Sequence, residues 1–418
     1  MKTLFQREGF RDLFIGQGVS AFGDWMVTVA LMALVLKLSG SSTAVGGILV
    51  LRLIPAAIGG PLAARAAGRW DRRRTMLAMD LVRMGIVALI PFVYALWWIY
   101  LWAFMLEIGG LVFLPARDSS IPDLVGEEEE EQLSLANGLI LGSSYGTIPL
   151  GAGAFAAVAA LSPGSGFLGD RDPFALVFWV DALTFVVSFL YIRRLTMLAS
   201  GPAPPEEEPE EERAQTHGFM AAFRIPLVRS VLPPTVTIAL GIGALFSLGI
   251  KYVRNVLDAT DAQFAVLVAL FGVGAALGLL LLRVVTGGVA ELATVKLGVA
   301  VQGATVALMS LAPTIALAFL GALAFGASTA WTLTSAMSLL QESLAGEERV
   351  LAFTAFHVLI RVGLSLAALG SGVAADLLSA VRFPVIGSIP SVRVVLGASG
   401  LLVFFSSGFI RRDVGKVA

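Results

Sequence analysis

The chain of 418 residues is 57% hydrophobic and only 14% charged, against about 25% charged residues in an ordinary soluble domain. With a mean hydropathy of +0.86 it has too few charges to cover two or three water-exposed domains, which indicates an integral membrane protein. It has no cysteine, and its two histidines, His217 and His357, lie far apart. These counts argue against disulfides, thiolate chemistry and histidine-rich metal sites, so we expect no cofactor.

Twelve apolar runs follow one another along the chain. A spanning helix needs roughly 20 apolar residues, and strands of a membrane barrel would be about half as long and alternating. The sequence therefore predicts an all-α membrane protein with twelve transmembrane helices. The runs cover residues 13–36, 43–66, 75–97, 99–116, 133–161, 174–192, 231–250, 262–282, 293–312, 314–340, 350–378 and 393–410.

The distribution of Lys and Arg predicts the orientation of these helices. Twenty of them fall at the two termini and in the even-numbered loops, six fall in the odd-numbered loops, and Arg52, Arg83 and Arg361 lie within the runs. Cytoplasmic loops carry the excess of basic residues. We therefore expect both termini to be cytoplasmic.

A polar interruption divides the chain after the sixth run. Residues 199–213 are rich in Pro and Glu, a composition typical of disorder, and residues 218–230 mix apolar and Arg side chains as an interfacial helix does. The pattern predicts a first six-helix half at 1–198, a cytoplasmic acidic linker with an interfacial helix at 199–230, and a second half at 231–418. A Leu-x-Gly-Glu-Glu motif before the fifth and eleventh runs fits two related halves.

Four stretches carry recognisable motifs. They are FRDLFIGQGVSAFGDWMVTVAL in the first run, GGPLAARAAGRWDRRRTM after the second, FLPARDSSIPDLVG at the end of the fourth and in its loop, followed by LANGL, and HGFMAAFRIPLVR after the linker. Together they resemble the major facilitator superfamily, and within it the bacterial efflux branch that includes the enterobactin exporter and macrolide efflux proteins. The resemblance covers essentially the whole chain and implies a central cavity lined by the first, fourth, seventh and tenth helices.

Five charges lie deep within the runs and are the predicted proton or substrate site: Asp24, Arg52, Glu107, Asp181 and Arg361. A charge at membrane depth costs at least about 2.5–3.5 kcal/mol, so each is a functional candidate. Asp24 shares one helix face with Gln17, Ser20 and Thr28, and Glu107 in apolar surroundings is suited to take up and release a proton.

Structural roles for these residues stay open at this stage. Asp24 would alternatively form an inter-helix ion pair, for example with Arg52, and Glu107 would be a neutral acid bonded to a backbone carbonyl. Asp181 fits an inter-helix contact at least as well as a binding role. For His357, beside Arg361, a packing role is favoured because the nearby positive charge opposes its protonation.

The loop after the second run predicts a cytoplasmic gate formed by Arg69, Asp71, Arg72, Arg73, Asp80 and Arg83. The acid that the superfamily usually has in this loop is Gly68 here, so Asp71 or Asp80 would replace it. Rearranged ion pairs would then bias the inward-facing against the outward-facing state. Setting the topology is a second role of these arginines.

The sequence favours a secondary active transporter in a bacterial plasma (inner) membrane and not an enzyme. We expect a monomer that exports small amphipathic molecules by alternating access in exchange for protons, without a nucleic-acid partner; the direction rests on the resemblance. One alternative is a lipid or lysolipid transporter whose Arg52 and Arg361 bind phosphate. The other is a non-transporting membrane receptor or assembly factor.

Overall fold

The computed structural model describes residues 2–51, 70–125, 130–160, 173–196, 198, 222–286, 292–344, 346–380 and 389–410. Within these ranges all regular structure is helical, as predicted. The helices up to the linker are α1 (Lys2–Gln6), α2 (Glu8–Ser39), α3 (Ser42–Leu51), α4 (Arg72–Leu89), α5 (Leu96–Asp118), α6 (Ile121–Val125), α7 (Glu130–Gly146), α8 (Ile148–Ala160) and α9 (Pro173–Arg193).

The helices after the linker belong to the last six apolar runs. They are α10 (Pro226–Lys251), α11 (Asp261–Thr286), α12 (Leu292–Ser310), α13 (Ile315–Ser343), α14 (Gly346–Ala380) and α15 (Ser391–Ser406). A π-helical turn, Tyr252–Val256, extends α10.

Ten helices in the described ranges are long and apolar enough to cross a membrane. They account for ten of the twelve predicted runs. The second run is described only as far as Leu51, and the fifth is built from α7 and α8, which meet at Thr147. The count of twelve spans and the cytoplasmic location of the termini stay predictions.

Two compact units make up the chain. The first comprises Met1–Ser39 and Leu51–Glu206, and the second comprises Gly40–Val50 and Glu207–Ala418. Residues 42–50 of α3 therefore group with the second unit, whereas the sequence analysis assigned the whole second run to the first half.

The start of α10 differs from the sequence prediction. Ile225 is its N-cap and Pro226 occupies the first turn, a position where proline is favoured because its missing N–H would lack a helical partner anyway. The helix continues without a break to Lys251. Residues 226–230, predicted to belong to an interfacial helix, are therefore the first turn of a spanning helix.

Glycine brings the helices of the first unit close together. Gly23 in α2 lies against the side chains of Asp181 and Thr184 in α9, and Gly16 lies against Ser188 and Tyr191 one and two turns further along. A side chain at Gly23 would overlap the Asp181 carboxylate. This contact puts a buried acid of α9 directly behind the α2 residue that precedes Asp24.

Glycine has the same role in the second unit, between α11 and α13. Gly274 and Gly278 of α11 lie against the backbone carbonyls of Leu323 and Ala327, and Gly326 of α13 lies against the carbonyl of Phe271. Such small residues let helix backbones approach closely where lipid supplies no hydrophobic driving force.

A carboxylate from α14 caps α3 within the second unit. Asp376 accepts hydrogen bonds from the Ser41 hydroxyl (2.6 Å) and from the backbone N–H (3.0 Å) and hydroxyl (2.9 Å) of Thr43. It also accepts one at 2.9 Å from Lys251 Nζ at the end of α10. A remote acid thereby satisfies N–H groups at the start of α3 that have no partner within the helix.

Replacing Asp376 by Ala is expected to lower the free energy of unfolding by about 1–2 kcal/mol. An N-cap contributes about 1 kcal/mol, and a partly exposed ion pair such as Lys251–Asp376 adds at most about 1 kcal/mol. Unfolding in mixed dodecyl maltoside–SDS micelles measures the change. Ser379→Ala, which removes an exposed hydroxyl one turn away, is the control and should have little effect; equal losses in both variants would contradict this role of Asp376.

Candidate functional site

The first unit contains a polar cavity of about 270 Å³ between α2, α4, α5 and α7. Its lining includes two acids, two arginines and two large aromatic rings among smaller side chains. The lining residues are Gln17, Ser20, Ala21, Asp24, Trp25, Thr28, Arg83, Leu106, Glu107, Gly110, Phe113, Leu114, Arg117 and Ser144.

One wall is the polar stripe of α2. Gln17, Ser20, Asp24 and Thr28 recur every three or four residues, so they lie on one helix face, and all four line the cavity. The stripe is held in place partly by Trp25, whose indole N–H donates to the carbonyl of Ser144 in α7 at 2.8 Å.

The facing wall is α5, which contributes Glu107 and Arg117. Glu107 has no polar neighbours at helical spacing in the sequence, but the structure places it in the same cavity as Asp24. Both carboxylates are partly buried. Two carboxylates at the wall of one cavity within a membrane can bind a cation or exchange protons.

Arg83 of α4 forms a buried ion pair that borders the cavity. Its Nη2 lies 2.6 Å from Asp80 Oδ1, one turn earlier, and the side chains are 8% and 0% exposed. The guanidinium Cζ is 4.3 Å from the centroid of the Phe113 ring and 4.6 Å from that of Phe185. The sequence assigned both charges to the gate; in the structure they pair with each other, and Arg83 lines the cavity.

The other described gate residues hold the first turn of α4. Asp71 is the N-cap and accepts from the backbone N–H of Arg74 at 2.8 Å. Arg72 donates to the carbonyl of Ser119 at 2.6 Å and pairs with Asp123, and Arg73 donates to the carbonyl of Arg193. These contacts tie α4 to α6 and to the end of α9. The sixth gate residue, Arg69, lies outside the described residues.

Asp181 is fully buried behind the α2 wall. Its Oδ1 accepts from the Thr184 hydroxyl at 3.0 Å, and its Oδ2 has no hydrogen-bond partner among the described atoms. Gly23 provides the space for this carboxyl group next to Asp24. The structure therefore brings together Asp24, Glu107 and Asp181, three of the five deep charges predicted from the sequence.

Of the remaining two deep charges, the structure describes only Arg361. It is exposed on α14, in the second unit, and Arg52 lies outside the described residues. The side chain of His357 is likewise outside what the structure describes. Among the described residues, no group of three His, Asp or Glu is arranged to hold a metal ion.

Arg117 was not a predicted site residue. In the sequence it served only as one of the basic residues that predict the orientation of the helices. Its Nη2 lies 2.7 Å from Asp118 Oδ1 and its Nη1 donates to Gln17 Oε1 at 3.4 Å. Arg117 follows Glu107 by ten residues on α5, about 2.8 turns, so the two side chains point about 80° apart around the helix. Sequence spacing therefore gave little signal that they share a cavity.

Comparisons with known proteins agree with this architecture. The sequence profile of the Major Facilitator Superfamily matches residues 13–368. An uncharacterized MFS-type transporter of Bacillus subtilis (strain 168), YfiS, is 26% identical over 145 residues, which is 34% of this chain and 35% of that protein. The match thus spans about a third of that relative's length.

Solved transporter structures share the fold at low sequence identity. The nucleoside transporter NupG has a TM-score of 0.74 at 12% identity, over 98% of this chain and 100% of that chain. A bacterial homologue of the human lysosomal transporter Spinster has 0.73 at 17%, over 96% and 95%. A D-xylose–proton symporter has 0.67 at 14%, over 98% and 99%.

The superfamily resemblance seen in the motifs is confirmed, whereas the resemblance to its efflux branch stays a prediction. The profile match covers most of the chain, and the fold similarities extend along nearly its full length. The chain therefore belongs to the Major Facilitator Superfamily and is a multi-pass membrane transporter, not an enzyme.

Proposed function

We propose that the protein exports small amphipathic molecules across a bacterial plasma membrane in exchange for protons, acting as a monomer. The observation that carries this proposal is the pairing of Asp24 and Glu107 in one partly buried cavity with the rings of Trp25 and Phe113. Carboxylates attract a cation, and the aromatic faces accommodate its apolar part and its charge.

Proton coupling follows from competition for the two carboxylates. A protonated carboxyl group no longer attracts a cation, so protons from outside displace the substrate and a new substrate displaces the protons inside. Alternating exposure of the cavity to the two sides of the membrane then links the two fluxes. The efflux direction rests on the motif resemblance, and the similarity to a D-xylose–proton symporter fits a fold that accommodates proton coupling.

Proteoliposomes with an imposed pH gradient test this function. Ethidium, an amphipathic cation, should be moved against its gradient by the wild type, and Asp24→Asn and Glu107→Gln should each reduce the proton-driven rate at least tenfold. Asp258→Asn is the matched control, because Asp258 is exposed and adopts a positive φ of 51°, which Asn tolerates well. Full proton-driven transport in the Asp24→Asn, Glu107→Gln double variant would refute the proton assignment.

A lipid or lysolipid transporter is the second candidate, and Arg361 favours it. This arginine is exposed on α14, next to exposed Val358 and Val362, as a residue that binds a headgroup phosphate beside acyl chains would be. Movement of a fluorescent lysophospholipid between leaflets, lost on Arg361→Gln, would support this function over the first. Membership of the superfamily argues against the remaining alternative, a non-transporting membrane receptor or assembly factor. Binding of either probe without movement would count against both transport proposals.

A further inference from the structure

The cavity of the first unit has an acidic level and a basic level. On α2, Gln17 and Asp24 are seven residues apart, or about 10 Å along the helix. On α5, Arg117 and Glu107 are ten residues apart, or about 15 Å. Arg117 contacts Gln17, and these two residues form the basic level. Asp24 and Glu107 lie further along the two helices and form the acidic level.

The basic level is able to receive a hydrogen-bond acceptor. Gln17 is 7% exposed, and its Nε2 has no hydrogen-bond partner among the described atoms. The Arg117 side chain is 13% exposed, and its partner Asp118 is 56% exposed. Water therefore screens the Arg117–Asp118 ion pair, which contributes little to stability. Another carboxylate can readily replace Asp118 as the partner of Arg117.

Arg83 also lines the cavity, but it is not available to bind an acceptor group of a substrate. Its Nη2 is bound to fully buried Asp80, and the rings of Phe113 and Phe185 cover its guanidinium group. Exchanging Asp80 for a substrate would leave a buried carboxylate without its counter-charge, which is strongly unfavourable. The charge of Arg83 is thus compensated within the protein.

The acidic level consists of Asp24 and Glu107, which both line the cavity. Asp181 is fully buried against Gly23 on the far side of the α2 wall and is not a lining residue. The cavity therefore has a negative end and a positive end, about 10 Å apart along α2 and about 15 Å apart along α5.

We propose that this cavity selects zwitterionic amphipathic substrates, a refinement that rests on the proposed function. The substrate's cationic group binds at Asp24 and Glu107, and its carboxylate or other acceptor group binds Arg117 and Gln17. Its apolar body lies along Trp25 and Phe113. A simple cation of the same shape makes only the first of these two charge-assisted contacts.

A series of unbranched ω-amino acids of increasing chain length, each compared with its methyl ester, tests this proposal. Each ester keeps the ammonium group and the alkyl chain but loses the carboxylate. Calorimetry on the purified full chain should give the tightest binding near the eight-carbon acid, whose extended length is similar to the separation along α2. Its ester should bind about tenfold more weakly, as expected for one lost charge-assisted hydrogen bond.

The variants separate a specificity role from general damage to the fold. Arg117→Gln should bring the acid-to-ester affinity ratio close to one without weakening the ester, whereas Asp24→Asn should weaken both probes. Arg74→Gln, which alters an exposed arginine of α4, should leave the ratio unchanged. A structural defect would affect acid and ester alike, so the ratio is the diagnostic quantity.

Failure of this inference is distinct from failure of the proposed function. Any one of three results would overturn the zwitterion proposal. The wild type binds the ester as tightly as the acid or more tightly, Arg117→Gln retains the wild-type acid-to-ester ratio, or no chain length is optimal. Proton-driven ethidium transport would survive that result. Loss of ethidium transport in the wild type would instead refute the proposed function, whatever the ratio.

Discussion

Replacing Arg83 by Met is expected to lower the free energy of unfolding by about 3–5 kcal/mol, the usual cost of breaking a buried ion pair by removing one partner. Met retains much of the apolar stem but leaves the fully buried Asp80 carboxylate without its counter-charge. The lost contacts of the guanidinium group with Phe113 and Phe185 add to the effect. Unfolding in mixed dodecyl maltoside–SDS micelles measures the difference.

A double variant separates charge from packing. In Asp80→Asn, Arg83→Met no charge remains buried at this position, so most of the lost stability should return, as it does when both partners of a buried pair are replaced. If the double variant is no more stable than Arg83→Met, the guanidinium stabilises the unit through its ring contacts instead of through the ion pair.

Replacing Gly278 by Ala is expected to destabilise the protein by about 1–3 kcal/mol, the range for an overpacked contact. The added methyl group would overlap the backbone carbonyl of Ala327 in α13, and a backbone atom cannot rotate away as the end of a flexible side chain can. The α11–α13 pair would have to separate. The same micelle titration reports the change.

Gly370 is the matched control for this substitution. It also lies in a helix of the second unit, α14, but an added Cβ there meets nothing within 4 Å. Gly370→Ala should therefore be neutral or stabilising by up to about 1 kcal/mol, because alanine has the higher helix propensity. Similar losses at both positions would show that glycine flexibility, and not close packing, is what α11 requires.

The helical membrane architecture was predictable because it depends on local composition. Runs of apolar residues with few charges require backbone hydrogen bonds to be satisfied within each segment. The stripe from Gln17 to Thr28 was predictable for a similar reason, since helical spacing alone puts these residues on one face. Both follow from the sequence within a single helix.

Relationships between helices were not predictable in this way. Helical spacing contains no information on the distance between Asp24 and Asp181, whose proximity depends on how Gly23 packs against α9. Arg117 was read as a topological signal because many arginines near membrane ends are. Within α4, the one-turn spacing of Asp80 and Arg83 allows the ion pair but does not exclude pairing of Asp80 with the neighbouring arginines; the gate role of both residues stays a prediction.

The Asp376 cap has a consequence for chimeric proteins. Segment Gly40–Val50 comes from the first part of the chain, yet it groups with the second unit, where Ser41 and Thr43 supply donors to Asp376. The halves are therefore not interchangeable modules. A hybrid that takes its first half from another member of the superfamily needs hydrogen-bond donors at these two positions. Without them, Asp376 on α14 and Lys251 at the end of α10 lose part of their hydrogen-bond network.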